Sequence, residues 1–224
     1  MNFKKEKYTS ADGSDTFYIP ELNEYYHSHH GAIQEANHVF IKNGLHFFLE
    51  KDNLSILEVG FGTGLNALLS CLEAEKMSKK VEYFTLEPFP LNKNEILQLN
   101  YTEKVENSIA NIIFEKIHQV SWNKYVEISS FFYLIKLNET IQEIELNPES
   151  FDIIYFDAFG PRVQPEMWTL EIFQKLYNLL KKQSCLVTYC AKGQVKRDLK
   201  SANFMVETLQ GPPGKREMIR AIKY

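Results

Sequence analysis

Acidic side chains close three apolar runs of this chain, and one of them stands before a cluster of glycines. Leu54, Ile56, Leu57 and Val59 read as a buried strand holding Glu58, followed by Gly60-Phe61-Gly62-Thr63-Gly64-Leu65-Asn66 and an apolar-striped helix. Strand, glycine turn and helix are how open α/β sheets hold a nucleotide-like ligand at the carboxyl ends of their strands. Glycine has no Cβ, so the turn can adopt φ > 0 and its main chain can approach a ligand closely. The spacing is E-x-G-x-G-x-G; Leu65 stands where a dinucleotide site needs its third glycine, and no Lys-Ser/Thr pair completes a P-loop. Glu58 would repel a pyrophosphate but could pair with the ammonium of an amino-acid moiety. Gly60, Gly62, Thr63, Gly64 and Asn66 are the turn's candidate contacts.

Val81–Leu86 reads as the next strand and ends in Glu87, near the interval at which an acid meets a ribose diol. A carboxylate there can accept two hydroxyl hydrogen bonds. Phe151–Phe156 is the clearest late strand and ends in Asp157. The turn resembles the first motif of class I S-adenosylmethionine-dependent methyltransferases, in which the donor brings the electrophile. What remains for the protein is to position an acceptor, keep its lone pair free and exclude water. An alkyl amine titrates near about 10, so a carboxylate that orients it and takes its proton is the group such chemistry needs. Asp157 is the candidate for that role. Phe159 and Pro161 beside it would form an apolar wall on which a flat base can stack.

The elements that must position these residues alternate between strand and helix, so the sheet should be mostly parallel. Strands are expected over 54–59, 81–87, 131–137, 151–157 and 186–190, with two closing strands over 204–209 and 217–222. These make an α/β, doubly wound, mostly parallel seven-stranded sheet. Residues 51–224 would form this domain, and residues 1–50 a small hairpin and helix packed on it; Asp12-Gly13-Ser14-Asp15 supplies the hairpin turn. The helix would bury Ile33, Ala36, Phe40, Ile41 and Leu45.

A chain of 224 residues with 44% hydrophobic and 24% charged content is ordinary for a globular protein. No apolar run reaches a membrane span, and the start lacks a signal-peptide apolar region, so a cytoplasmic location is expected. Cys71, Cys185 and Cys190 are too scattered for a disulfide framework. His27, His29 and His30 lack the i, i+4 spacing and partners of a metal site, so no metal is expected and they read as polar contacts at a pocket mouth. The net charge of −4 hides an asymmetry: residues 181–224 carry ten Lys/Arg against three Asp/Glu. Lys192, Lys196, Arg197, Lys215 and Arg216 are candidate phosphate contacts of an anionic partner.

Several blocks together resemble the methyltransferase part of the MnmC family of wobble-uridine modification enzymes. They are Tyr26-His27-Ser28-His29-His30-Gly31-Ala32, the Glu58–Asn66 turn, Asp157-Ala158-Phe159 with Pro165-Glu166-Met167-Trp168-Thr169, Thr188–Gly193, and Gly211–Met218. The resemblance implies a Rossmann-like class I fold, S-adenosylmethionine as methyl donor, and tRNA as partner. It also implies methylation of 5-aminomethyl-(2-thio)uridine to the 5-methylaminomethyl form, with Asp157 serving the acceptor amine. FAD is not expected, because the oxidase half of the fused family members has no counterpart in these residues; other enzymes would then supply the aminomethyl substrate. The third strand of such a fold offers a polar group to the adenine, here Asn138 or else Glu139; the family often has Gly-Asp where this chain has Leu137-Asn138. Two other readings share these features: a polyamine aminopropyltransferase-like enzyme, and a non-catalytic RNA-binding module of the same fold.

Overall fold

The computed structural model describes residues 3–224; Met1 and Asn2, at the head of the expected N-terminal extension, lie outside it. Three short strands, β1 (Glu6–Thr9), β2 (Asp15–Ile19) and β3 (Glu24–Tyr25), form an antiparallel sheet in that order. The expected hairpin is β1–β2, turned at Gly13 with φ 80°. Helix α1 (Ala32–Ala36) runs straight into a π-helical stretch, Asn37–Lys42, and then a 3-10 turn, Leu45–Phe48. Ala36, Phe40, Ile41 and Leu45 are buried as the apolar spacing predicts, in the same hydrophobic cluster as the helix after the glycine turn.

The rest of the chain builds one large sheet and its covering helices. In order these are β4 (Asn53–Val59), α2 (Leu65–Met77), β5 (Lys80–Leu86), α3 (Lys93–Ile96), α4 (Tyr101–Lys104), α5 (Ala110–Gln119), β6 (Tyr125–Ser129) and β7 (Phe132–Leu137). Then come β8 (Phe151–Phe156), α6 (Leu170–Leu179), β9 (Leu180–Thr188), α7 (Gly193–Ser201), β10 (Met205–Gln210) and β11 (Glu217–Lys223). The strand order is β10-β11-β9-β8-β4-β5-β7-β6. Neighbours from β9 to β7 are parallel, and the β6, β10 and β11 pairings are antiparallel. The sheet therefore has eight strands rather than the expected seven. The added one, β6, is an edge strand on which Ile128 alone is buried, so it lacks the apolar alternation that would reveal it.

Successive residues of β4 serve opposite layers. Leu54 and Ile56 pack with α2 and α5, whereas Leu57 and Val59 pack with α6 and α7. The chain runs from β4 outward to β5 and β7, then returns to lay β8 on the other side of β4. That reversal is the switch point at which open α/β sheets leave a crevice beyond their strand ends. No helix of the described residues is long and apolar enough to cross a membrane, and all three cysteines are buried.

At the opposite end of the sheet, Asp152 on β8 binds Lys51 Nζ at 2.7 Å, Lys181 Nζ at 2.9 Å and the Ser55 backbone N–H at 2.9 Å. Burial alone would raise its pKa, but these donors hold the carboxyl below its ordinary range. Asp152→Ala is expected to cost about 1–3 kcal/mol in denaturant unfolding at neutral pH, because it leaves the Ser55 amide without its acceptor and removes two ion pairs to partly exposed lysines. A depressed carboxyl pKa gives stability present above the unfolded value and lost as pH falls through the folded one, so the difference from wild type should shrink in acid. A gap that stays constant into acid would contradict this account of Asp152.

Candidate active site

Parallel register brings the strand ends level. Val59 sits opposite Phe156 and Leu86, and Leu86 opposite Leu137. The next residues are therefore neighbours: Asp157 N donates to Val59 O and Gly60 N to Leu86 O, both at 3.0 Å. Glu87 N donates in turn to Leu137 O at 3.0 Å. The turn then bends through positive φ at Gly60 (100°), Gly62 (50°) and Gly64 (75°). A Cβ on Gly60 would stand 2.8 Å from the Asp157 carbonyl oxygen, so side chains are excluded there by space as well as by conformation. Glu87 accepts from Gly62 N through Oε2 and from Phe89 N through Oε1, each at 2.9 Å, which ties its strand end to the turn.

A cavity of about 680 Å³ opens over these strand ends. Of the residues singled out by sequence, Gly60, Gly62, Asn66, Glu87, Asp157 and Phe159 line it. Glu58 does not: it is fully buried on the α2 side of the sheet, where Oε2 accepts from Thr85 Oγ1 at 2.6 Å and Oε1 has no partner. Thr63 also faces inward, taking a hydrogen bond from Tyr101 Oη at 3.1 Å, and Gly64 packs beneath the His118 ring. Asn138 lies outside the lining and spends its amide on the Glu87 carbonyl at 2.8 Å; the neighbouring Glu139 and the stretch up to Glu143 form that wall. Pro161 is likewise off the wall.

The N-terminal segment closes the cavity from above, with Ile19, Leu22, Tyr26 and His27 in its lining. Arg162, in the loop after β8, anchors that roof by donating to Leu22 O at 3.2 Å and Asn23 O at 2.7 Å. Of the three clustered histidines only His27 reaches the cavity; His29 and His30 stack on each other 4.0 Å apart, and His30 covers Gly214. Leu22 carries no chemical signature in sequence, so only the folded chain exposes its part. Tyr26 stands edge-on to Phe159, with centroids 5.2 Å apart. Phe159 is fixed through its main chain: its N–H donates to Gln164 at 3.0 Å and its carbonyl accepts from Trp168 Nε1 at 2.7 Å.

Asp157 is half-buried on the cavity wall. Burial drives its carboxyl up to about 7; Glu35 pushes the same way, while the Asn66 amide, donating at 2.9 Å, and Lys215 pull it back. Glu58 is pushed up to about 8, first by burial and then against the hydrogen bond from Thr85, with Asp157 adding to the rise. Burial takes His27 down to about 4, leaving a neutral ring between Thr16 Oγ1 and Thr63 Oγ1. Near neutral pH the site thus holds one carboxyl poised to give or take a proton and a second kept mostly uncharged.

The basic residues divide. Lys192, Lys215 and Arg216 border a shallow hollow with Tyr189 and Cys190. Lys215 is already engaged by the buried Glu35 carboxylate and lies 3.9 Å over the Tyr189 ring. Lys196 pairs with Glu217 at 2.6 Å, and Arg197 binds Gln194 on its own helix at 2.7 Å. Lys192 and Arg216 are the exposed cations of the hollow.

A family model described as S-adenosyl-L-methionine-dependent methyltransferase matches residues 98–224. Among curated proteins, the tRNA 5-methylaminomethyl-2-thiouridine biosynthesis bifunctional protein MnmC of Hydrogenovibrio crunogenus is 27% identical over 211 residues, covering 88% of this chain and 31% of that protein. The protein of the same name from Leptospira interrogans is 29% identical over 212 residues, covering 89% and 32%. The chain spans about a third of the length of these relatives. Among solved structures, MnmC2 from Aquifex aeolicus matches with TM-score 0.81 at 24% identity, over 100% of this chain and 71% of that one. A spermidine synthase from Thermotoga maritima matches with TM-score 0.51 at 13% identity, over 93% and 68%. Both likenesses are of fold.

A carboxyl whose folded pKa is raised contributes stability that is complete below its unfolded value and lost as pH rises through the folded one. For Glu58 that window runs from about 4.3 up to about 8. Glu58→Gln keeps the buried group neutral throughout, so its melting temperature should gain on wild type between about pH 5 and about pH 9. Parallel curves for the two proteins would show that Glu58 does not titrate in this range.

Proposed function

The chain belongs to the S-adenosyl-L-methionine-dependent methyltransferase family, and from that premise we propose that it methylates the exocyclic amine of 5-aminomethyl-(2-thio)uridine at the tRNA wobble position, giving the 5-methylaminomethyl form. The observation that carries this reading is Asp157: a carboxyl titrating near neutrality on the cavity wall, next to an aromatic pair that can receive a base. The names of the relatives supply the nucleoside and the tRNA.

The cavity fits the donor by its own features. Gly60 and Gly62 present main chain without Cβ, Glu87 places a carboxylate at the rim, and the volume lies within the range of small-molecule sites. Gly60, Gly62 and Glu87 would hold the donor, with Glu139 rather than Asn138 offered toward its base. S-adenosylmethionine, when bound, supplies an electrophilic methyl group. The chain's own residues then do three things. Phe159 and Tyr26 stack and orient the flat acceptor. Asp157 accepts one proton from the acceptor ammonium, becoming the neutral acid and freeing the nitrogen lone pair. The roof of residues 19–27, tied down by Arg162, keeps water from the reacting centre. In this reading residues 1–50 are the roof-bearing extension and residues 51–224 the transferase domain. Lys192 and Arg216 contact phosphates around the opening.

Incubation with methyl-labelled S-adenosylmethionine and tRNA bearing aminomethyluridine should place label in the wobble nucleoside. Label in polyamine or protein, with none in that nucleoside, would overturn the reading in favour of another amine acceptor. Asp157→Ala should lower turnover by about 10²–10⁴-fold while donor affinity holds. Lys192→Glu with Arg216→Glu should weaken tRNA binding and reduce the slope of log affinity against log salt by roughly 1.5–2. An unchanged slope would take the two cations out of the tRNA interface.

A further inference from the structure

Asn66, in the first turn of α2, is 3% exposed. Its Nδ2 donates to Asp157 Oδ2 at 2.9 Å, while its Oδ1 is buried without a partner. Unpaired buried polar atoms are uncommon, and each asks for an explanation. Behind Asn66 lie Glu58 Oε1 and Tyr83 Oη, likewise short of a well-formed hydrogen bond, and both Asn66 and Tyr83 act on the Glu58 carboxyl.

A carboxyl that takes up and releases a proton changes its needs. Ionised, it accepts only; protonated, it also carries a donor. A primary amide offers a donor on one arm and an acceptor on the other, and turning it over exchanges them with no change of shape. We propose that Asn66 is a positioning residue for Asp157 rather than a contact of the methyl donor: Nδ2 holds the carboxylate, and after a half-turn Oδ1 receives the protonated oxygen. One orientation of Asp157 then serves both proton states. The proposal rests on the reading above in which Asp157 relieves the acceptor amine of its proton. The other titratable groups around Asp157 are Glu58 from β4, Tyr83 from β5, Glu35 from α1, Lys215 from the loop before β11 and Tyr189 just past β9.

The test follows Asp157 directly, by carboxyl ¹³C resonance in aspartate-labelled protein saturated with S-adenosylhomocysteine, assigned by the signal lost in Asp157→Asn. Removing the amide donor in Asn66→Leu should raise the half-titration point above that of wild type by about one unit or more. Asn66→Ser, which keeps a donor and acceptor and guards against a Leu variant that fails to fold, should shift it less. Calorimetric affinity for S-adenosylhomocysteine should stay within about threefold of wild type in both variants. An unmoved titration overturns the proposal, and so does a loss of affinity of about tenfold or more, which would make Asn66 a donor contact. The titration needs no acceptor, so a protein that methylates some other amine would fail the tRNA assay and still pass here.

Discussion

Gly60 and Asp157 are locked together by main chain. Parallel pairing of β4 with β8 sets Asp157 N on Val59 O, and the missing side chain of Gly60 is what lets the Asp157 carbonyl lie alongside. The turn that would cradle the donor and the acid that would serve the acceptor therefore form one rigid piece, each with its conformation imposed by the other. Nothing softer could hold reacting groups to the tolerance that transfer chemistry demands. Glu87 extends the same piece to a third strand by gripping Gly62 N.

Electrostatics follow from where that piece sits. Asp157 and Glu58 lie on the α2 side of adjacent strand ends, and Asp157 adds to the cost of ionising Glu58. Asp157 feels Glu35 and Lys215 as well, and those two join the N-terminal segment to the loop before β11. The N-terminal segment thus contributes twice: it roofs the cavity through Tyr26 and His27, and through Glu35 it sets the field around the acid. Burial and Glu35 raise the Asp157 carboxyl, and the Asn66 amide with Lys215 hold the rise to about 7.

Fold class and most strand positions along the chain were legible because glycine, apolar runs and terminal acids repeat along the sequence at informative spacing. Gly60, Gly62, Glu87, Asp157 and Phe159 could be picked out by type and place alone. Glu58 could not be placed so well: a one-residue offset along β4 turns it to the far face, and alternation fixes direction only when the strand's last residue is known. Asn138 lies off the cavity for a related reason, since its amide satisfies the Glu87 carbonyl and the chain past it supplies the wall. Lys215 read as a free cation because its partner, Glu35, is 180 residues away in sequence. Strand β6 was invisible for want of an apolar face, and the roof residues Ile19 and Leu22 because apolar side chains there look like ordinary core.

The central claim is that donor and acceptor meet at Asp157. A crystal structure with sinefungin, whose amine stands in for the transferred methyl, measures this directly. The account predicts that amine directed at the Asp157 carboxylate, about 3–5 Å away with space for one acceptor nitrogen between Asp157 and Phe159. A complex in which it points toward Glu139 and Glu143, with the Asp157 carboxylate turned away behind protein, would contradict it.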